Sequence, residues 1–248
     1  MSSSWTEHQV SKTRTSNITK VHIRAFRAID DLNACQKFAD GHAEVLSNHG
    51  IKKVSSADRE WMTDPNVYVI LATSPGGQRV YGGARIHIRQ RTKRLPLEVP
   101  FGKHDPKVHD ILDELSKDSC AELCALWNSV EVAGLGIGSR LIILCGVVLT
   151  EELGIRHLLA LSSPVTRRWI PDFGFYTIES IGNNGGIPYP NERLIATVAH
   201  FINPDRLQFM APALYAQVLE LRANPKLKSQ ASGPKGSIAL HYDLKVNA

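Results

Sequence analysis

Paired cysteine ligands are missing from this chain of 248 residues. Its four cysteines, Cys35, Cys120, Cys124 and Cys145, form no Cys-x-x-Cys pair. Three of them fall inside expected elements, which suits reduced, buried thiols. With no ligand spacing of that kind, no metal is expected. Long apolar runs are also scarce. The longest, 141–149, is far short of the ~20 residues a bilayer requires, so no membrane association is expected. No apolar stretch follows Met-Ser-Ser-Ser-Trp at the start, so we expect no secretory signal and a cytoplasmic location. Charge of one sign is scarce too. The net charge is +5, with no clustered basic reading module, which argues against nucleic acid and leaves a mild bias toward anionic ligands. There is no internal repeat.

What is present is an ordinary globular composition, 43% hydrophobic, with length enough to bury a sizeable core. Residues 1–17 are polar and read as a loose arm. A strand is predicted at 18–26, followed by a helix that Asp30 or Asp31 caps, running to about Asn48. A short helix is expected at 56–62. Residues 67–71 and 79–90 read as a hairpin about the turn at 74–78. Along its second arm Ala84, Ile86 and Ile88 point one way and Arg85, His87 and Arg89 the other. Residues 95–100 read as an extended linker and 106–117 as a helix. A strand at 120–130, a helix at 138–153 and an apolar strand at 157–161 then suggest a right-handed crossover in a sheet covered on both faces. A short helix opens at Ser163-Pro164, and strands are expected at 176–181 and 193–201. Past these, 212–222 reads as a helix. Residues 237–246 alternate as a strand that either packs on the domain or pairs with another chain's edge, the latter making a homodimer.

The chemistry concentrates at Gly134, Gly136 and Gly138. Glycine lets main-chain N–H groups approach a ligand with no Cβ between. A helix start adds unpaired amides and the positive end of its dipole, so the site suits a phosphate. A P-loop would need Gly-Lys-Ser/Thr, but Ser139-Arg140 follow Gly138. A dinucleotide fingerprint would need Gly or Ala where Ser139 stands, and an acidic residue after the second strand, where Leu161-Ser162 stand.

Ala133-Gly134-Leu135-Gly136-Ile137-Gly138 resembles the pyrophosphate loop of the GNAT acyltransferase superfamily, Arg/Gln-x-x-Gly-x-Gly/Ala, and departs from it at Ala133. Gly174-Phe175 match a Gly-Phe pair of that superfamily, and the order of elements over 18–203 resembles its fold. The resemblance implies a mixed α/β sheet with splayed central strands, followed by a C-terminal extension over 204–248. It implies acyl-CoA as cosubstrate, acetyl-CoA or a longer acyl-CoA. The acyl-pantetheine arm would lie along Leu126, Trp127 and Asn128, and the pyrophosphate on the amides of Leu135, Gly136, Ile137, Gly138 and Ser139. The hairpin at 67–86 is also similar to that of the autoinducer and N-acyl amino acid synthases. Those take long acyl chains, often on acyl carrier protein, although their usual Glu-x-x-Arg reads here Glu122-Leu-Cys-Ala125.

Acyl transfer to an amine needs a base, an oxyanion donor and an exit for the thiolate. Glu122 is the leading base by the family's pattern, and a strand-edge ion pair is its bland alternative. In a regular strand Glu122, Cys124, Leu126 and Asn128 share a face. His87 either faces the acceptor cleft or belongs to a solvated face. Glu131 reads as a surface residue and His200 as a core or edge histidine. Arg167 and Arg168 either reach the adenosine phosphates or lie in solvent. The tyrosine that commonly protonates the thiolate is replaced by Ile170. The expected function is N-acyl transfer, most simply N-acetyl transfer, to a small-molecule or peptide amine. The alternatives are a long-chain N-acyl amino acid or autoinducer-type synthase and a non-catalytic acyl-CoA-binding module.

Overall fold

The structure, a computed structural model, describes residues 18–51 and 58–246. The arm at 1–17 and part of the helix expected at 56–62 lie outside these residues. One mixed sheet carries the molecule. Its strands are β1 (Lys20–Arg27), β2 (Val67–Thr73), β3 (Val80–Ile88), β4 (Cys120–Asn128), β5 (His157–Ser162), β6 (Tyr176–Thr177), β7 (Gly186–Pro188), β8 (Ile195–Ile202), β9 (Lys228–Gly233) and β10 (Gly236–Asp243). They run in the order β6-β8-β5-β4-β3-β2-β1-β10-β9, with β7 also on β8. The helices are α1 (Leu32–Asn48), α2 (Glu98–His104), α3 (Lys107–Leu115), α4 (Ser139–Glu152) and α5 (Pro212–Ala223).

Local sequence explains the two helices that matter most. Asp31 caps α1, its carboxylate accepting from Ala34 N at 2.9 Å, and Arg24 holds that carboxylate at 2.7 Å, fixing the helix to β1. Gly41 costs α1 some propensity. A Cβ there would stand 2.1 Å from the Trp127 indole, so the glycine lets α1 lie down on β4. In α4, Ile142 through Thr150 are all buried. It is the middle layer between the sheet and α5, which explains an apolar pattern nearly all round.

Three apolar clusters follow. The largest joins α4 and α5 to one face of the sheet. On the opposite face, Phe38, Trp61, Val69, Leu71 and Trp127 pack under α1. Leu97, Phe101, Val108, Leu112 and Val198 pack under α2 and α3.

Several expectations change. Residues 95–100 are no linker. Leu95 and Leu97 are buried, and α2 begins at Glu98. Pro100 reads as a breaker but falls in the first helical turn, where its missing N–H is not needed. The strand expected at 176–181 shrinks to two residues, and β7 and β9 are additional. The alternating C-terminal strand packs within the chain, as β10 pairs in parallel with β1 from Lys20↔Ala239 to Arg24↔Asp243. The edge of β1 is thereby closed.

Candidate functional site: a split between two strands

β4 and β5 pair in parallel only from Cys120↔His157 to Leu123↔Ala160. Beyond that point β4 continues five residues to Asn128 and β5 two residues to Ser162 without pairing to each other. The main-chain groups of β4 on that edge therefore face a gap. A cleft of about 280 Å³ fills it, lined mostly by apolar groups including Leu126, Ile143, Ala160, Ile170 and Phe175, with Glu122 and Cys124 also on its wall.

A bulge makes the strand leave. Gly83 pairs with Trp127 and Arg85 with Cys124, so two residues on β4, Ala125 and Leu126, answer one on β3. Ala125 sits at φ +51°, a left-handed conformation that costs a non-glycine residue about 1 kcal/mol or more. The extra residue also inverts the faces. Regular alternation would set Glu122, Cys124, Leu126 and Asn128 together. Instead Trp127 turns toward Phe38, ring centroids 5.9 Å apart. Leu126 packs with the α4 cluster, and Asn128 reaches Ser139. A bulge of this kind has no signature in the residues themselves.

Glu122 is 1% exposed. Its Oε2 accepts from Leu97 N at 2.8 Å. Burial pushes the carboxyl up to about 8, opposed by the Leu97 bond and the nearby Arg85 cation. The bland alternative, a strand-edge ion pair, is not formed with any of the described residues. The roof over Glu122 is built by α2, which a buried network holds in place. Glu98 accepts from Arg89 Nε at 2.7 Å, from Leu95 N at 2.9 Å, and meets His109 Nδ1 at 2.9 Å. The basic segment at 89–94 thus begins with a structural arginine.

His87 stands directly opposite Glu122 across the β3–β4 ladder. Neither of the two sequence-level options for it holds. It is buried, and it lines neither the cleft nor the chamber under α1. Burial first, then Arg85, holds its imidazole well below the usual histidine range, so it is neutral. Arg85 is wholly buried, its guanidinium 4.2 Å from the Trp61 ring. His200 is a core histidine, bonded to His157 at 3.0 Å and to the Tyr176 hydroxyl at 2.8 Å. Glu131 is paired with Arg79, and Arg167 and Arg168 are exposed.

The glycine loop divides into two parts. Leu135 N already donates to Val132 O at 3.1 Å. A Cβ on Gly136, at φ +77°, would lie 2.5 Å from Ser232 O. Lys235 N donates to Gly134 O at 2.9 Å. The first two glycines thus serve the close approach of the β9–β10 hairpin. Past them, a Cβ on Gly138 would meet nothing within 4 Å, and Gly138 precedes the first turn of α4. With its amide oriented to satisfy both groups, Asn128 places its oxygen 3.0 Å from Ser139 N and 2.8 Å from Ser139 Oγ. Of the amides 135–139, those of Leu135 and Ser139 have partners, while those of Ile137 and Gly138 have none among the described residues, and Arg140 N continues the row at the helix start. Ser139 itself lines the cleft, so the open half of the loop adjoins the gap between strands.

The residues that sequence reasoning passed over are His42, Arg85 and Tyr189. His42 is only one member of the apolar stripe of α1, yet it lines the cleft. Tyr189 lies in a turn-rich stretch with no periodic signal, and it too lines the cleft. Arg85 alternates with apolar neighbours, which suggests a solvent face until α1 is seen to cover it. No group of three or more His, Cys, Asp or Glu among the described residues is placed to hold a metal ion. No helix among them is long and apolar enough to cross a membrane.

No protein-family model matches the chain, and no curated protein sequence matches it. Solved structures do. FeeM, an N-acyl amino acid synthase from uncultured soil microbes, superposes with a TM-score of 0.57 at 14% identity, over 79% of this chain and 98% of that one. TofI, solved in a ternary complex with an inhibitor and MTA, gives 0.50 at 13% identity, over 79% and 99%. A putative acetyltransferase of the GNAT family from Desulfovibrio desulfuricans gives 0.45 at 14%, over 73% and 98%. At these identities the likeness is one of fold alone: a mixed α/β sheet whose two central strands part.

Proposed function

We propose that this chain is an N-acyltransferase, moving an acyl group from acyl-CoA to the amine of a small molecule by direct attack in a ternary complex. The observation that carries this reading is the parting of β4 from β5 beside the open amides of Ile137–Arg140. The gap is open along the main chain, apolar along its wall and anion-seeking at its end. Those are the needs of a pantetheine arm, an acyl chain and a diphosphate. FeeM shares the fold and is named as an N-acyl amino acid synthase, so N-acylation is among the reactions this fold hosts.

The acyl group we assign is longer than acetyl. A cavity of ~150 Å³ holds benzene, so about 280 Å³ of mainly apolar cleft accommodates a chain of several methylenes. This favours the long-chain alternative over acetyl transfer. Whether coenzyme A or acyl carrier protein delivers the chain, the pantetheine arm is the same.

In this reading Glu122 is the base. With its pKa near 8 it is a better match to an ammonium than an ordinary carboxylate. It takes the amine proton as nitrogen bonds to the thioester carbon. A main-chain N–H of β4 near the bulge steadies the oxyanion. The C–S bond then breaks, and the thiolate takes a proton from Tyr189, a phenol on the cleft wall, which solvent reprotonates. His87 would tune Glu122 from behind rather than touch substrate.

Mixing the protein with acyl-CoAs of graded length and a panel of amines tests this. Thiol release that needs an amine and peaks at intermediate chain length supports it. No release with any pair would leave an acyl-CoA-binding module as the better description.

A further inference from the structure

Glu98 and Glu122 are each 1% exposed, yet their surroundings differ. The Oε1 of Glu98 accepts from Arg89 Nε and Leu95 N, and its Oε2 from Arg89 Nη2 at 3.1 Å and from His109 Nδ1. Burial pulls its pKa up, but Arg89 and the other donors outweigh it and hold the carboxyl below the usual range. Glu98 is therefore ionised. Glu122 accepts from Leu97 N, and burial prevails there.

Arg89 is the hub of this arrangement. It follows β3 directly, and its N donates to Cys120 O at 2.8 Å, at the start of β4. Its guanidinium forks onto Glu98, meets Asp113 of α3 at 2.7 Å and donates to Ser116 Oγ at 3.1 Å, just past α3. One planar side chain thus ties the β3–β4 ladder to both helices, which a lysine ammonium could not do.

α2 needs that tie. It is seven residues long, with Pro100 and Gly102 inside it and no side-chain cap at Leu97, so its own propensity would not hold it. It lies close on α3: a Cβ on Gly102 would stand 2.6 Å from His109 Nε2. Leu97, whose N grips Glu122, and Glu98, which grips Arg89, are consecutive residues. α2 therefore cannot leave the clamp without leaving the base.

We propose that Arg89 and Glu98 are positioning residues for the base: their buried ion pair seats α2 over Glu122, so that Leu97 N holds the carboxyl and the helix keeps water from it. The role of Glu122 rests on the acyltransferase reading, and the clamp is what maintains it. Neither Arg89 nor Glu98 lines the cleft, so both act through α2 and not on substrate. The charged and titratable groups about Glu122 are Arg85 and His87 from β3, Cys120 and Cys124 from its own strand, and Glu98 from α2, with His42 and Tyr189 on the cleft wall. Lifting α2 displaces only Glu98 among these and admits water. Burial is the largest influence on the Glu122 carboxyl, ahead of the opposing Leu97 bond, so loss of the roof weakens its hold on a proton.

The test reads Glu122 in the full chain without turnover. Glutamate carboxyls are labelled with carbon-13, and Glu122→Gln identifies the resonance. In the unaltered protein that signal should titrate near 8. Arg89→Lys should loosen the proton about tenfold or more, and the pH at which the rate with octanoyl-CoA rises should fall in step. His109→Leu removes one donor from Glu98 at a partly exposed site and should act in the same direction by less. His109→Gln retains a donor and should lie within a few-fold of the unaltered protein. The two His109 variants decide the matter if Arg89→Lys does not fold. Gly136→Val, a strain placed in the glycine loop, should leave the Glu122 signal where it was. A signal that stays put or moves upward in folded Arg89→Lys or His109→Leu protein overturns the proposal, and so does an equal shift in Gly136→Val. The expected shifts in a protein that releases no thiol with any amine would overturn the transfer reading and leave the clamp standing. Amine-dependent thiol release with an unmoved signal would do the reverse.

Discussion

The two halves of β4 make the most instructive contrast in the molecule. From Cys120 to Leu123 the strand is paired on both edges, to β3 and to β5. From Cys124 to Asn128 it keeps only β3. The chemistry of the residues barely changes between the halves. What changes is one added residue and one backbone conformation at Ala125. A sheet usually hides its main-chain groups from ligands. Here a single bulge frees an edge in the middle of the sheet, where the walls are apolar and the amides at the head of α4 are close.

The contrast can be broken most severely at its closed end. Glu122→Gln should cut the rate about 100-fold or more, the usual loss for a general base, with acyl-CoA affinity retained. Steady-state turnover and direct binding, measured together, check this. The rate of the unaltered protein should rise with pH through about 8. Stability should move oppositely. The carboxyl's pKa is raised from 4.5 to about 8 in the fold. The folded state therefore holds its proton more tightly, and stability declines as pH rises between those values. Urea midpoints at pH 5 and pH 8 should differ in that sense, and by less in the Gln variant.

The glycine loop offers a sharper version of the same contrast. Gly136→Val meets Ser232 O at a left-handed φ and should cost about 2–3 kcal/mol in urea unfolding. Gly138→Val enters open space at an extended φ of −155°. It should leave stability within about 0.5 kcal/mol while weakening acyl-CoA. If both variants were to lose stability alike, the division of the loop into a clamped half and a ligand half would be wrong. On the cleft wall, Ala160→Leu should shift the preferred acyl chain downward by a few carbons, read from relative rates across chain lengths. The smallest effect belongs to the bulge. Ala125→Gly relieves its φ of +51° but adds backbone entropy to the unfolded chain, so its stability change should stay under about 1 kcal/mol.

Much of the fold could be read in advance because its signals are local. Asp31 at a helix start, alternation along β3 and the Gly-x-Gly-x-Gly before an apolar helix each act within a few residues. The glycine loop led correctly to the split sheet. Its glycines, however, have two employers, and only tertiary contacts show that Gly134 and Gly136 answer to the hairpin at Gly233 and Lys235. Glu122 was visible as a carboxylate on β4. Its burial was not, because Leu97 and α2 come from a stretch whose prolines look like breakers. His42 and Arg85 were hidden for a simpler reason: a polar residue on an amphipathic element gives no sign of whether the partner facing it is water or a cavity.

A crystal structure of the protein with octanoyl-CoA bears most directly on the split of β4. We expect the thioester carbonyl within hydrogen-bonding reach of a β4 main-chain N–H between Cys124 and Trp127, the acyl chain between the parted strands, and the diphosphate against the amides of Ile137–Arg140. Coenzyme bound elsewhere, with that edge of β4 untouched, would contradict the site and the function built on it.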